Sequence, residues 1–279
     1  MLTLIQIELY KIFRKWRTYI GFIAIGVLVP LIHLAFLLTG ESTIDFMTRN
    51  IQQSFIFVGN LLNGYFVSYL ILNSITVHIP FLIALVAGDL LAGEATAGTY
   101  RMIITRPVTR TQIIISKFIA GIIYTNLLII WLALISLVVG VLIFGTGELL
   151  VSSSHAIIIF ERTDILWRFF IAYGFAVLGM SVVCSLAFLF SSLVENAIGP
   201  IVSTMAIIII FIVISAINID FFQSIKPYLF TEYILSWRLI FEDPVDLTEL
   251  LKAVAILLAH IVFFFSLTLF LFKRKDILS

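Results

Sequence analysis

Long apolar runs dominate this chain, and the polar positions gather in the intervals between them. That is the pattern of helices crossing a bilayer, each of which needs about 20 apolar residues to traverse some 30 Å of hydrocarbon at 1.5 Å per residue. Six runs qualify, over approximately 18–39, 68–88, 112–143, 165–190, 197–217 and 251–272. The third is over-long, so it tilts or continues beyond the bilayer. The fourth and fifth are separated only by a short turn around 191–199. The stretch 55–72 is apolar but interrupted by Asn60, Asn63 and Gly64, and reads as an interfacial or re-entrant lead-in to the second span. The expected fold is an all-α membrane protein of six transmembrane helices, a single transmembrane domain over 1–279.

Ahead of the first span, residues 1–17 read as an amphipathic helix lying on the membrane surface. Ile5, Leu9, Ile12, Phe13 and Trp16 share one side at helical spacing, and Glu8, Lys11, Arg14 and Lys15 share the other, although Leu4 and Ile7 break the pattern. The plainer alternative is a basic flank that only fixes topology. A secretory signal is not expected, because the following apolar run exceeds twenty residues and has no small-residue exit.

Charge is segregated along the chain. Lys11, Arg14, Lys15 and Arg17 precede span one; Arg101, Arg106, Arg110 and Lys117 lie between spans two and three; Lys273, Arg274 and Lys275 follow span six. An even number of spans places all three clusters on one side, the cytoplasm by the positive-inside rule. The loops 40–66, 144–164 and 218–250 then lie outside, and the last two are acidic. The expectation is a multi-pass protein of the cell (inner or plasma) membrane with both termini cytoplasmic. Composition agrees: 62% of residues are hydrophobic and 12% charged, against roughly 45–50% and 25% in soluble domains, and the mean hydropathy is +1.18. The single cysteine, Cys184, excludes an intramolecular disulfide and a cysteine-built metal cluster. No basic surface for nucleic acid is evident.

The polar interval 88–117 carries the most information, with two carboxylates, four basic residues, three glycines and a proline between two spans. Gly88, Gly93 and Gly98 are poor helix residues, so the second span is expected to loosen soon after Asp89. Thr99 caps a short predicted helix over 100–105, which Pro107 ends. Thr109 and Gln112 have capping-box spacing and give span three a firm start. The predicted object is a cytoplasmic coupling helix within a loop over 89–111, held between two membrane helices and suited to passing force to both. Gly93 and Gly98 have the glycine spacing of a phosphate-binding loop, but Thr99 and Tyr100 stand where its lysine and hydroxyl belong.

The segment GEATAGTYRMIITRPVTRTQIIISKF resembles the signature loop of ABC-2 type transporter permeases, the membrane subunits of ATP-binding cassette exporters. The matching positions are Glu94, Gly98, Thr99, Arg106, Pro107, Arg110 and Lys117, and the FSSLVENAIGP turn around Glu195 and Asn196 extends the likeness. The importer pattern fits less well, since Gly98 and Pro107 come too early. The resemblance implies a permease without its own ATPase, paired with a second copy or a related permease. It implies that ATP and magnesium bind on a partner ATP-binding cassette ATPase, and it leaves room for an accessory extracytoplasmic protein. It also implies an ATPase-facing surface of Glu94, Gly98, Thr99, Arg101, Arg106, Pro107, Arg110 and Glu195. The cargo is not named by any residue.

Other constellations are weaker. His33, His78, His155 and His260 are isolated and read as hydrogen-bonded packing rather than metal ligands. Asn73, Ser74, Thr76, His78 and Pro80 make span two unusually polar; Asn73, Thr76 and His78 either line a substrate path or hydrogen-bond between helices. Arg168 is expected near a span end, snorkelling to water. With neither an HExxH nor a GxGD motif, an intramembrane enzyme is not expected. The alternative to an exporter permease is an ATPase-independent channel or secondary transporter.

Overall fold

The computed structural model describes residues 1–52, 61–98, 108–152 and 157–274. Helix α1 (Leu2–Arg14) ends at Lys15, whose extended backbone turns the chain into α2 (Trp16–Gln52). Next come α3 (Gly64–Ile75), α4 (Ile79–Ala87) and α5 (Asp89–Thr96), then α6 (Arg110–Ala133), which runs through a π-helical segment (Leu134–Val138) into α7 (Val139–Phe144). A hairpin of β1 (Leu149–Ser152) and β2 (Ile157–Phe160) leads to α8 (Arg162–Leu193) and α9 (Ile198–Ala216). Short α10 (Asp220–Ile225) and α11 (Phe230–Ile234), with two 3₁₀ turns, precede the final α12 (Leu247–Arg274).

Among the described residues, five continuous helices are long and apolar enough to cross a membrane: Trp16–Ile44, Arg110–Phe144, Arg162–Leu193, Ile198–Ala216 and Leu247–Arg274. The expected second span is not one helix. It starts earlier, at Gly64, and consists of α3 and α4 meeting at 55°. Pro80 supplies the reason. Proline has no amide hydrogen, and its ring collides with the carbonyl four residues back, here that of Thr76, which is where α3 ends. Counting the bent pair as one crossing gives six. Residues 64–72 of the anticipated lead-in therefore belong to this span, while 53–60 lie outside the described residues.

Helix α8 is the centre of the bundle. Of its most apolar stretch, 78% is buried by protein, against 17–28% for the other four continuous spans, whose outer faces are apolar and exposed as lipid-facing surfaces are. Small and hydroxyl residues let neighbours close on α8. Ser181 and Ser185 donate to the carbonyls four residues back (both 2.7 Å), so their oxygens are buried without stranded hydrogen bonds. A close approach also joins α3 to α7: a Cβ on Gly64 would lie 2.5 Å from both the Cα and N of Val141.

Arg168 does not snorkel. It is 5% exposed at the start of α8, donating to Asp164 (2.8 Å) and to the carbonyls of Ile240 and Glu242, with its guanidinium 4.2 Å over the Phe160 ring. One buried cation thus gathers the hairpin and the segment before α12 over that end of the bundle. The hairpin was not expected. Its strands are four residues each, too short for a period-two pattern to stand out beside apolar helices. His260 and His78 hydrogen-bond the carbonyls four residues back, whereas His33 is buried beside the Ser136 backbone.

Candidate functional site

The polar interval after α4 does not loosen at Asp89. Gly88 keeps right-handed helical angles and α5 continues to Thr96, despite Gly93. Tertiary contacts outweigh the glycine's poor propensity. At the start of α5, Ser191 of α8 places its hydroxyl between backbone groups, accepting from the amides of Leu91 (3.0 Å) and Ala92 (2.9 Å) and donating to the Gly88 carbonyl (2.6 Å). It supplies the cap that Gly88 cannot. At the other end, Thr96 donates to the Glu195 carbonyl (2.7 Å). Gly98, at φ +64, then terminates the helix in the left-handed conformation that glycine adopts without strain.

The opposite face of α5 is held by charge. Asp89 pairs with Lys15 (2.7 Å) and Arg17 (2.8 Å) at the α1–α2 junction. Glu94 pairs with Lys11 of α1 (2.9 Å) and Lys117 of α6 (2.7 Å), and Glu8 of α1 pairs with the same two lysines at 2.8 and 2.7 Å. Two acids and two bases thus alternate around a ring joining three helices. The Lys117 side chain is 1% exposed, so its ammonium meets these two carboxylates rather than water. The polar side of α1 accordingly faces protein at Glu8, with Lys11 half-buried beside it, while Leu2, Tyr10 and Trp16 stay exposed.

Burial would raise the Glu8 carboxyl, but the charges and hydrogen bonds of Lys117 and Lys11 outweigh it and hold it below its ordinary value. Burial would lower the Lys11 ammonium, yet Glu8 and Glu94 raise it above its usual range. A depressed carboxylate stabilises the fold above its unfolded pKa, about 4.3, and loses that contribution as pH falls through its folded value. A raised lysine contributes below about 10.4 and is lost as pH rises through its folded value. The contributions of Glu8 and Lys11 are therefore both present across the neutral range, and one is lost at each extreme. Melting temperatures of the purified protein should fall on acidification below about pH 4, less steeply in Glu8→Gln. Equal acid slopes for the two proteins would refute the linkage.

Of the residues expected to face an ATPase, the structure places Glu94 inside the ring and Gly98 at the end of α5. Arg110 donates to the Lys273 carbonyl (3.3 Å), tying the start of α6 to the end of α12. Glu195 is exposed beside α5. Thr99, Arg101, Arg106 and Pro107, with the short helix expected over 100–105, lie outside the described residues. The capping box is present: Thr109 accepts from the Gln112 amide (3.2 Å), and Gln112 accepts from the Thr109 amide (3.0 Å). Asn73, Thr76 and His78 gather at the α3–α4 break, where Asn73 accepts from Arg238, Thr76 donates to the Leu72 carbonyl and His78 lies 3.1 Å from the Ser74 carbonyl.

Sequence reasoning missed Ser191, for which a serine near a span end gives no signal. It also missed that Glu8, Lys11 and Asp89 pair inside the protein. Lys117 carried a usable signal: a lysine set into an apolar helix needs a counter-charge, and the nearby acids are few.

A family model described as "Protein of unknown function (DUF2705)" matches residues 21–278. The chain is also 25% identical over 204 residues to "Uncharacterized protein YhcI" of Bacillus subtilis (strain 168), covering 69% of this chain. The chain spans about 63% of that relative's length.

Proposed function

The chain belongs to the family described as a protein of unknown function (DUF2705), and we propose that it is the permease subunit of an ATP-binding cassette transporter, an exporter of the ABC-2 type. The observation that carries the reading is the clamping of α5. An eight-residue helix after a bent span is held to α8 by Ser191 and the Glu195 carbonyl, and to α1 and α6 by the charge ring. A displacement of the residues that follow would reach α1, α6 and α8 through these polar contacts. A membrane subunit moved by a separate motor needs such a junction, and the likeness of the 94–117 segment to the ABC-2 loop supports the same reading.

In this reading α5, both termini and the basic end of the bundle face the cytoplasm, at the cell membrane. The partner cassette ATPase binds ATP and magnesium, and Glu195 and Arg110 lie towards it. Two permease copies, or this chain with a related one, complete the pathway with two-fold symmetry. A second reading, an ATPase-independent channel or secondary transporter, draws on one observation: α3 and α4 form a broken helix with polar residues at the break, a device that transporters use near their binding sites.

The test is co-expression of the tagged chain with cassette ATPases of its own genome, followed by purification in mild detergent. We expect one ATPase to co-purify, and the exposed Glu195→Lys to lower its recovery severalfold while Lys252→Glu, at the other end of the bundle, leaves it unchanged. A chain that retains no cassette ATPase, and whose reconstitution alters no ATP hydrolysis, would overturn the proposal.

A further inference from the structure

At the basic end of the bundle a groove of about 510 Å³ opens between α1, the end of α5 and the start of α6. Its size falls within the roughly 300–1,000 Å³ of small-molecule clefts. Leu4, Ile7, Val108 and Ile113 line it with apolar surface, and Tyr10 and Arg14 stand among its walls. The groove lies beside the first residues of α6 and close to the start of α2, two helices long and apolar enough to cross a membrane.

Its charges are unevenly satisfied. Glu8 and Glu94 at the groove are matched by Lys11 and by Lys117 beneath them, and Lys15 is matched by Asp89. Arg14 is exposed and, among the described residues, has no acidic partner within ion-pair distance. A cavity with apolar walls, an exposed tyrosine and one uncompensated guanidinium suits an amphiphile with an anionic head. Guanidinium matches phosphate oxygens in bidentate geometry, and basic pockets at membrane-helix ends are recurrent sites for acidic headgroups.

We propose that this groove binds one anionic phospholipid, with its phosphate against Arg14, its glycerol region in the groove and its acyl chains remaining in the bilayer. The occupant touches α1, α5 and α6 together, so it would add to the contacts that hold α1 against the ring. The inference does not depend on an ATPase and holds whether or not the chain is a permease.

The experiment is native mass spectrometry of the full chain from detergent, after mixing with phosphatidylglycerol or phosphatidylcholine of the same chain length. We expect one retained phosphatidylglycerol in preference to phosphatidylcholine. Arg14→Gln should weaken retention roughly fivefold, the order expected for one cation near an anionic surface. Ala97→Trp, which fills the groove without changing charge, should abolish the preference. Lys252→Gln removes one charge at the far end and should retain lipid as the wild type does. Equal retention of the two lipids by the wild type, or undiminished retention in both Arg14→Gln and Ala97→Trp, would overturn the site. Displacement of phosphatidylglycerol by millimolar inorganic phosphate alone would also overturn it, since phosphate rather than a lipid would then be the ligand.

Discussion

Lys117→Met should destabilise the protein by about 3–5 kcal/mol, the usual cost of removing one partner from a buried charge pair. Lys117 has a 1% exposed side chain and is shared by Glu8 and Glu94, at 2.7 Å from each. Methionine fills much of the volume but leaves two nearly buried carboxylates with Lys11 as their remaining shared lysine. Like charges crowded in this way push one carboxyl upward in pKa. An acid whose folded pKa is raised above its unfolded value destabilises the fold at neutral pH, and the penalty is relieved as pH falls. The variant should therefore gain stability between about pH 7 and 5, the range in which the wild type is flat. Adding Glu8→Gln and Glu94→Gln should recover part of the loss, because the stranded charges are gone. Thermal melts of the three proteins across that range decide the matter: a Lys117→Met curve parallel to wild type would mean that the ring contributes nothing as a unit.

The second large effect is expected at a position with no charge. Gly64→Ala should cost about 3 kcal/mol or more, at the upper end of overpacking penalties. The added carbon would sit 2.5 Å from two backbone atoms of Val141 and 2.7 Å from the Gly140 carbonyl carbon, none of which can rotate aside as a side chain would. Close helix contact through small residues replaces the hydrophobic drive that lipid-embedded helices lack, so the loss is not made up elsewhere. Gly174→Ala is the matched control. A Cβ there meets nothing within 4 Å, and in mid-helix it should stabilise by up to about 1 kcal/mol. Similar melting temperatures for the two variants would dismiss the α3–α7 contact as a determinant of the fold.

The parts of the fold that depend on local composition were legible in the sequence. Apolar runs located the five continuous helices that are long and apolar enough to cross a membrane, and Thr109 with Gln112 marked the start of α6 to the residue. The parts that depend on partners distant in sequence were not. Glycine propensity predicted an unravelled segment after Asp89, but Ser191, Lys15 and Arg17 hold it helical, and none of these lies near it in the chain. Glu8 and Lys11 look like the wet face of a surface helix until Glu94 and Lys117 are placed opposite them. Pro80 could have been read as the break in span two, because its clash with the carbonyl four residues back is a local matter. The apolar stretches on either side of the polar positions within 73–78 read together as one span and obscured it.

Helix α8 grips the structure at both ends, Arg168 holding the carbonyls of Ile240 and Glu242 and Ser191 holding the first turn of α5. Its 32 residues form a rod of about 48 Å at 1.5 Å per residue. A rod of that length, buried along most of its surface, transmits an axial shift without storing it in bending. The groups held at its two ends would then register a shift together rather than in sequence, and the slowest amide exchange in the protein should run the length of α8, not cluster at either end.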